Sequence, residues 1–432
     1  MVTGGESTYF GGNWPRPYIT KPDRRESPMR VRAFLLLSLL APPAAAQDST
    51  ITLWRREVLN SSKLNEQRSI YVATPEGYRA GTNRYPVLVL LDADDRPQFN
   101  LALANVAFLA SRGAIPNLIV VGIPNGKDRT HDLTPAAAGA LAKNFPTAGG
   151  AATFADFIAD EVVPFVRSKY RTLPATILAG HSFGGLLALE VAARKPGVFT
   201  GVIAMSPSLW WNDSSGVVSY SDAIAKAAKG ERMFVTSGGL EGDIDRPTTR
   251  FSQRLDSLKP SVIAFGHRRY PEDSHGLTPA PSLADGLRFV FEPMSVAKLP
   301  ISSLGPSTDS ATLVNALNES MQRYAAGART FGMDERLPES EVNQLGYGAL
   351  QALKKPTLAV WVFRKNVDLY PESANVYDSL GDGLLAAGDT TAAMAQFRRA
   401  IDVAARTKHP VLEASMRKLR ALEVSRGADK AK

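Results

Sequence analysis

The pentapeptide Gly180-His181-Ser182-Phe183-Gly184 has the form G-x-S-x-G, between an apolar run ending at Ala179 and a small-residue stretch, Gly185-Leu186-Leu187-Ala188-Leu189. A serine at the tip of a sharp strand-to-helix turn sits in strained backbone geometry. Only residues without bulk two positions to either side let strand and helix pass so closely. The start of the following helix also favours negative charge developing near the serine. The pentapeptide alone is a weak signal, and a passive serine in a glycine-rich turn would carry it too. Its setting makes it a strong signal for a nucleophile, Ser182.

A hydroxyl nucleophile needs a base, and where such an elbow occurs in α/β-hydrolases the order along the chain is serine, acid, histidine. The chain has five histidines. His131 precedes the serine, His181 lies inside the elbow, His267 falls in a strand-like run and His409 in a helical tail. His275 remains, in the loop Glu272-Asp273-Ser274-His275-Gly276. A neutral imidazole there can take the proton of Ser182 and return it to a leaving alcohol; the alternative is an exposed loop histidine. The acid is expected just after the run Met233–Thr236, where Glu241, Asp243 and Asp245 compete. Glu241 is favoured as nearest to the strand end, with Asp245 second and Asp243 third.

An oxyanion would be met by the backbone N–H of Phe183, next after the nucleophile, and by a second N–H from the loop Asp92-Ala93-Asp94-Asp95, for which Asp94 is the expected donor. Asp92 reads equally well as a turn former. Trp210 and Trp211 could stack on an aromatic acyl group or serve as plain packing. Arg129 could meet an anionic substrate or form a loop salt bridge with Asp128 or Asp132.

These residues need a rigid platform. Continuous apolar runs at 86–91, 118–123, 175–179, 202–205 and 233–236, with a further run at 262–270, read as strands buried on both faces. Alternating stretches at 52–59 and 68–73 read as antiparallel edge strands. Helical stretches at 151–170, 183–194, 220–229 and 248–258 suit right-handed crossovers, and a last helix is expected at 280–291 after the His275 loop. The expected class is α/β: a mostly parallel sheet with helices on both faces, the α/β-hydrolase fold, over 47–297. A Ser/Pro/Gly-containing break at 298–310 opens a linker and connecting helix, 298–335. Beyond it the chain is all helical. Leu345-Gly346-Tyr347-Gly348-Ala349-Leu350 recurs 35 positions later as Leu380-Gly381-Asp382-Gly383-Leu384-Leu385, so 336–432 reads as a small tetratricopeptide-like region. Two copies are few for such a stack. The tail is expected either to pack on the α/β part or to bind a protein partner.

The residues resemble the esterase D family of α/β-hydrolases, which includes feruloyl esterases, mycolyltransferases and siderophore esterases. The likeness spans about 50–292. It rests on Leu90-Leu91-Asp92-Ala93-Asp94, Asp128-Arg129-Thr130-His131-Asp132-Leu133-Thr134-Pro135, Gly180 to Gly185, Ser206-Pro207-Ser208-Leu209-Trp210-Trp211, Ser274-His275-Gly276 and Pro281 to Leu287. The second and fourth of these look most like the siderophore esterase branch. The resemblance implies metal-free ester hydrolysis without a cofactor, and it too puts Asp94 and Phe183 at the oxyanion. The helical tail departs from small single-domain members, so their substrate does not simply transfer.

Composition narrows the alternatives. Hydrophobic residues at 44% and charged residues at 21% suit packed globular domains, and no cysteine is present, which excludes a disulfide framework and thiolate metal sites. The net charge is +8. Residues 1–46 carry six of the 50 basic and three of the 42 acidic groups, leaving 44 − 39 = +5 without a long basic run, which argues against nucleic acid as a partner. Met29-Arg30-Val31-Arg32, the apolar run 33–41 and Ala44-Ala45-Ala46 have the three parts of a secretory signal peptide, with translation from Met29 and cleavage before Gln47. Residues 1–46 are therefore expected to be an N-terminal extension and signal peptide, and the product exported, periplasmic or secreted, without a membrane span. The expectation is a serine carboxylic-ester hydrolase acting on a small-molecule ester. An acyltransferase, or an inert module recruiting partners through its tail, is the alternative.

Overall fold

The computed structural model describes residues 52–79, 81–259, 263–298, 309–407 and 409–430; the expected signal peptide and Met29 start lie outside the described residues. Thr52–Lys432 form one compact unit.

Its centre is an eight-stranded sheet of β1 (Arg55–Ser61), β2 (Glu66–Ala73), β3 (Tyr85–Leu91), β4 (Ile119–Ile123), β5 (Thr172–His181), β6 (Gly201–Met205), β7 (Arg232–Gly238) and β8 (Ala264–Tyr270), in the order β1-β2-β4-β3-β5-β6-β7-β8. β2 pairs antiparallel with β1 and with β4; all other neighbours are parallel. This is the expected α/β-hydrolase-like architecture, with every run read as a strand in place. The β3–β5 register shifts between Tyr85 and Val87, where β5 advances from Thr172 to Thr176; Pro86 and Pro174 fall in this stretch and neither has an N–H to give the ladder.

Strand periodicity of two divides the apolar residues between two cores. Leu88, Leu90, Ile177, Ala179, Ile203 and Met205 point to one face, where helices Arg96–Ser111 and Pro279–Val290 cover them. Val87, Val89, Leu91, Leu178, Val202 and Ala204 point to the other, covered by Phe183–Arg194 and Gly216–Ala227. The stretch expected as one helix over 151–170 instead contains a π-helical segment, Phe157–Val162, between Ala151–Asp156 and Val163–Lys169. Pro164 cannot donate to the turn before it, and the widened turn absorbs the missing bond.

The first core does not end with the sheet. Helices Ser310–Thr330, Glu339–Tyr347, Pro356–Leu369, Ala374–Ala386, Thr390–Thr407 and Leu412–Lys430 follow one another. Leu317, Phe331, Phe363 and Phe397 extend the same apolar cluster into them. The rings of Phe291 and Phe331 join the two parts at 5.0 Å. Within the tail, Gly346 lies against the ring of Phe363 and Gly381 against that of Phe397, so the first glycine of each copy of the sequence repeat admits an aromatic side chain from the next helix.

Candidate active site

Three parallel strands end in a non-glycine residue with positive φ: Asp92 after β3 (57°), Ser182 after β5 (61°) and Ser206 after β6 (43°). Such strain is disfavoured by local sterics and persists only where surrounding structure holds it. Here it gathers at the carboxyl edge of the sheet.

Ser182 stands between β5 and helix Phe183–Arg194, with φ 61° and ψ −120°. Its N–H donates to the carbonyl of Met205 (3.0 Å), and its carbonyl accepts from the N–H groups of Leu186 (3.0 Å) and Ser208 (3.1 Å). The turn is therefore tied to the segment after β6. The glycines are needed as the motif implied. A Cβ at Gly180 would run into the carbonyl of Gly184, and one at Gly184 would come 2.9 Å from Asp92 Oδ2. The Ser182 hydroxyl caps no backbone group of its helix and lies 3.4 Å from Ser208 Oγ.

Of the three candidate acids, the structure brings Glu241 to His275. The His275 Nδ1 is 2.9 Å from Glu241 Oε1. Oε2 accepts from the N–H of Gly238 (2.6 Å) and the hydroxyl of Ser206 (3.0 Å). The Glu241 side chain has no exposed surface, whereas His275 is 37% exposed. Burial pushes the Glu241 carboxyl up, but the bonds from His275, Gly238 and Ser206 outweigh it and hold the group below its ordinary value. Asp243 is exposed. Asp245 turns away, accepting from Ser237 Oγ (2.7 Å) and Arg269 Nε (2.9 Å). Among the other histidines, His267 lies in β8 and the His131 ring meets Asp132.

Three further residues of this site carried no individual sequence signal. Ser206 Oγ is also 2.9 Å from Thr278 Oγ1, whose hydroxyl donates to the carbonyl of His275 (3.0 Å). His181 faces His275 with ring centroids 4.4 Å apart. Burial, then the proximity of His275, pushes His181 down to about 4, so its imidazole is neutral at pH 7. Its Nε2 is buried without a hydrogen-bond partner.

Phe183 and Asp94, the two expected oxyanion donors, both follow strand ends at the carboxyl edge of the sheet. Phe183 opens its helix, so its N–H has no intrahelical acceptor. In the turn after β3, Ala93 donates to Ile123 (3.1 Å) and Asp95 to Asp92 (3.1 Å), while Asp94 Oδ1 accepts from the N–H (2.9 Å) and Nδ2 (3.0 Å) of Asn125.

Arg129 has a partner that neither sequence reading anticipated. Its Nε and Nη2 donate to Asp92 Oδ1 (2.6 Å) and Oδ2 (2.9 Å), and Asn125 Nδ2 adds a third bond to Oδ1 (2.7 Å). Asp92 is thus a buried anchor beside the elbow, not a bare turn former, and Arg129 stacks 5.2 Å over the Phe183 ring. Trp211 is buried, 5.0 Å from Phe145 and 5.4 Å from Phe183. Trp210 remains partly exposed next to the same rings, at 6.1 Å from each.

Chemically, a strained serine at a helix N-terminus, next in the chain to His181 whose ring meets that of His275 at 4.4 Å, together with the buried carboxylate that orients His275, supplies the parts needed for acyl transfer. Comparison with known proteins agrees. Residues 61–257 match the family model described as "Putative esterase". The siderophore enterobactin esterase of Emericella nidulans is 29% identical over 38% of this chain and 65% of its own length. The ferri-bacillibactin esterase BesA of Bacillus subtilis is 32% identical over 38% and 62%. The chain therefore spans just under two thirds of the length of these two relatives. The crystal structure of an IroE-like serine hydrolase from Shewanella oneidensis superposes with TM-score 0.57 at 26% identity, over 72% of this chain and 98% of that one. The segment that this family model matches, 61–257, holds Ser182 and Glu241.

Proposed function

We propose that the protein is a serine carboxylic-ester hydrolase that forms an acyl-enzyme on Ser182 and acts on siderophore or other aromatic esters. The observation that carries this reading is the 2.9 Å contact between His275 and the buried Glu241 at the strand edge where half-buried Ser182 stands on its elbow. Ser182 Oγ attacks the ester carbonyl while His275 Nε2 takes its proton. Glu241 holds the ring with Nδ1 protonated and stabilises the imidazolium. The tetrahedral oxyanion is met by the N–H groups of Phe183 and Asp94. Collapse expels the alcohol, which receives the proton from His275, and water attacks the acyl-enzyme by the same steps in reverse order. The names of the relatives and the half-open aromatic group of Phe145, Phe183 and Trp210 support an aromatic acyl group.

The test is hydrolysis of a p-nitrophenyl ester series, then of a catecholate siderophore ester, by the wild-type chain and by Ser182→Ala. Turnover lost in the variant supports the reading; turnover equal in both, or absent from both, overturns it. We also propose export, on the pattern at 29–46, and a tetratricopeptide-like tail, on the repeated glycine–aromatic contacts. Secreted protein whose N-terminus preceded Met29 would contradict the first.

A further inference from the structure

His181, Glu241 and His275 each offer one ligand atom, and the three atoms lie within 4.8 Å of one another. We infer that these three side chains form an inhibitory site for a borderline divalent cation, Zn²⁺ or Cu²⁺, that competes with catalysis. This rests on the proposed role of His275 as the base.

The donor set is two imidazoles and a carboxylate, a combination that binds zinc with one position left open. Glu241 already accepts from His275 on Oε1 and from Gly238 and Ser206 on Oε2, so the member of the set that stands free is His181. The buried Nε2 of His181 has no hydrogen-bond partner, an unusual state for a buried polar atom. The His181 ring is already stacked against that of His275, at 4.4 Å between centroids. Glu241 is a fully buried carboxylate, so a cation there gains more from its charge than it would at a solvated surface. Ligand atoms on one tetrahedral zinc stand about 3.3 Å apart, from bond lengths near 2.0–2.2 Å. Separations in the present arrangement that exceed this value must close, and the His275 Nδ1–Glu241 Oε1 pair, at 2.9 Å, must open if both atoms coordinate.

Binding and catalysis exclude each other on chemical grounds. Coordination at His275 Nδ1 replaces the proton through which Glu241 orients the ring. Coordination at Nε2 occupies the lone pair that would accept the proton of Ser182. In both cases the metal binds as the cation and a ring nitrogen gives up its role in proton transfer; no bond to the ester is made or broken.

The experiment uses the full chain in three forms: wild type, Ser182→Ala and His181→Phe. The phenylalanine keeps a flat ring against His275 and removes the ligand nitrogen. Calorimetric titration with ZnCl₂ is expected to show about one ion bound per Ser182→Ala chain. His181→Phe should bind at least about tenfold more weakly, since even outer-shell changes cost 10–100-fold. Wild-type ester hydrolysis should fall with added ZnCl₂ and return with EDTA, and the ZnCl₂ concentration that halves the rate of His181→Phe, relative to that variant's own zinc-free rate, should be at least about tenfold higher. Should His181→Phe fold poorly by circular dichroism, His181→Gln takes its place. Equal zinc binding or equal inhibition with and without His181 overturns the site. Zinc binding that depends on His181 in a protein without metal-free esterase activity supports the site and refutes the esterase reading instead.

Discussion

The Nδ1 of His275 lies 2.9 Å from Oε1 of a Glu241 whose side chain has no exposed surface, while Asp245, four residues further on, is bonded to Arg269 and Ser237. Glu241→Gln is therefore expected to lower kcat by up to about 10⁴-fold, and Asp245→Asn to leave it nearly unchanged. Steady-state hydrolysis of a p-nitrophenyl ester by the two variants checks this.

His181 links the site to pH. Its folded-state value is pushed from 6.5 down to about 4, first by burial and then by His275. Between those values the unfolded chain binds a proton that the folded chain refuses. Stability is thus intact above the window and falls as pH drops through it. The loss from this group between pH 7 and pH 5 should be on the order of 1–2 kcal/mol. Urea unfolding at both pH values should show it in wild type and not in His181→Phe.

Glu241 acts in the same direction at lower pH. Its folded value lies below the ordinary 4.5, so its contribution is present above that value and is lost as pH falls through the depressed one. Acid unfolding of Glu241→Gln should accordingly begin from a lower stability and change less steeply below pH 4.5, followed by far-ultraviolet circular dichroism.

Arg129 gives both forked nitrogens to the buried Asp92. Removing it leaves a buried carboxylate held by Asn125 alone. Because Arg129 is 36% exposed, Arg129→Ala should cost about 2–3 kcal/mol, below the full penalty of a buried pair. The loss of turnover should be similar for neutral and anionic esters. A rise in KM confined to anionic esters would show instead that Arg129 meets substrate charge.

Phe331 is 1% exposed and sits where the tail meets Phe291. Phe331→Ala should cost about 3–5 kcal/mol. Since the apolar cluster is continuous across this contact, thermal unfolding should move as a single transition. A lower transition for the tail alone would refute the coupling.

Much of this protein is legible in the linear chain because its signals are local. Apolar runs such as Val87–Leu91 are strands because both faces are buried, and the glycines around Ser182 are required by contacts within one turn. The order serine, acid, histidine narrows the base to His275 and the acid to three carboxylates within five residues. Sequence distance cannot choose among those three further, because the choice depends on which way a loop turns in space. The fold decides it by bringing Gly238 N–H and Ser206 Oγ, from two different strand ends, to one oxygen of Glu241. The partner of Arg129 was hidden for the same reason, since Asp92 lies 37 residues away and meets it only because β3 and β4 are neighbours. The stacking of His181 on His275 crosses 94 positions and leaves no pattern in the chain. What local sterics and periodicity dictate could be read from residue types; what depends on the convergence of strand ends at the carboxyl edge of the sheet was decided by the tertiary structure alone.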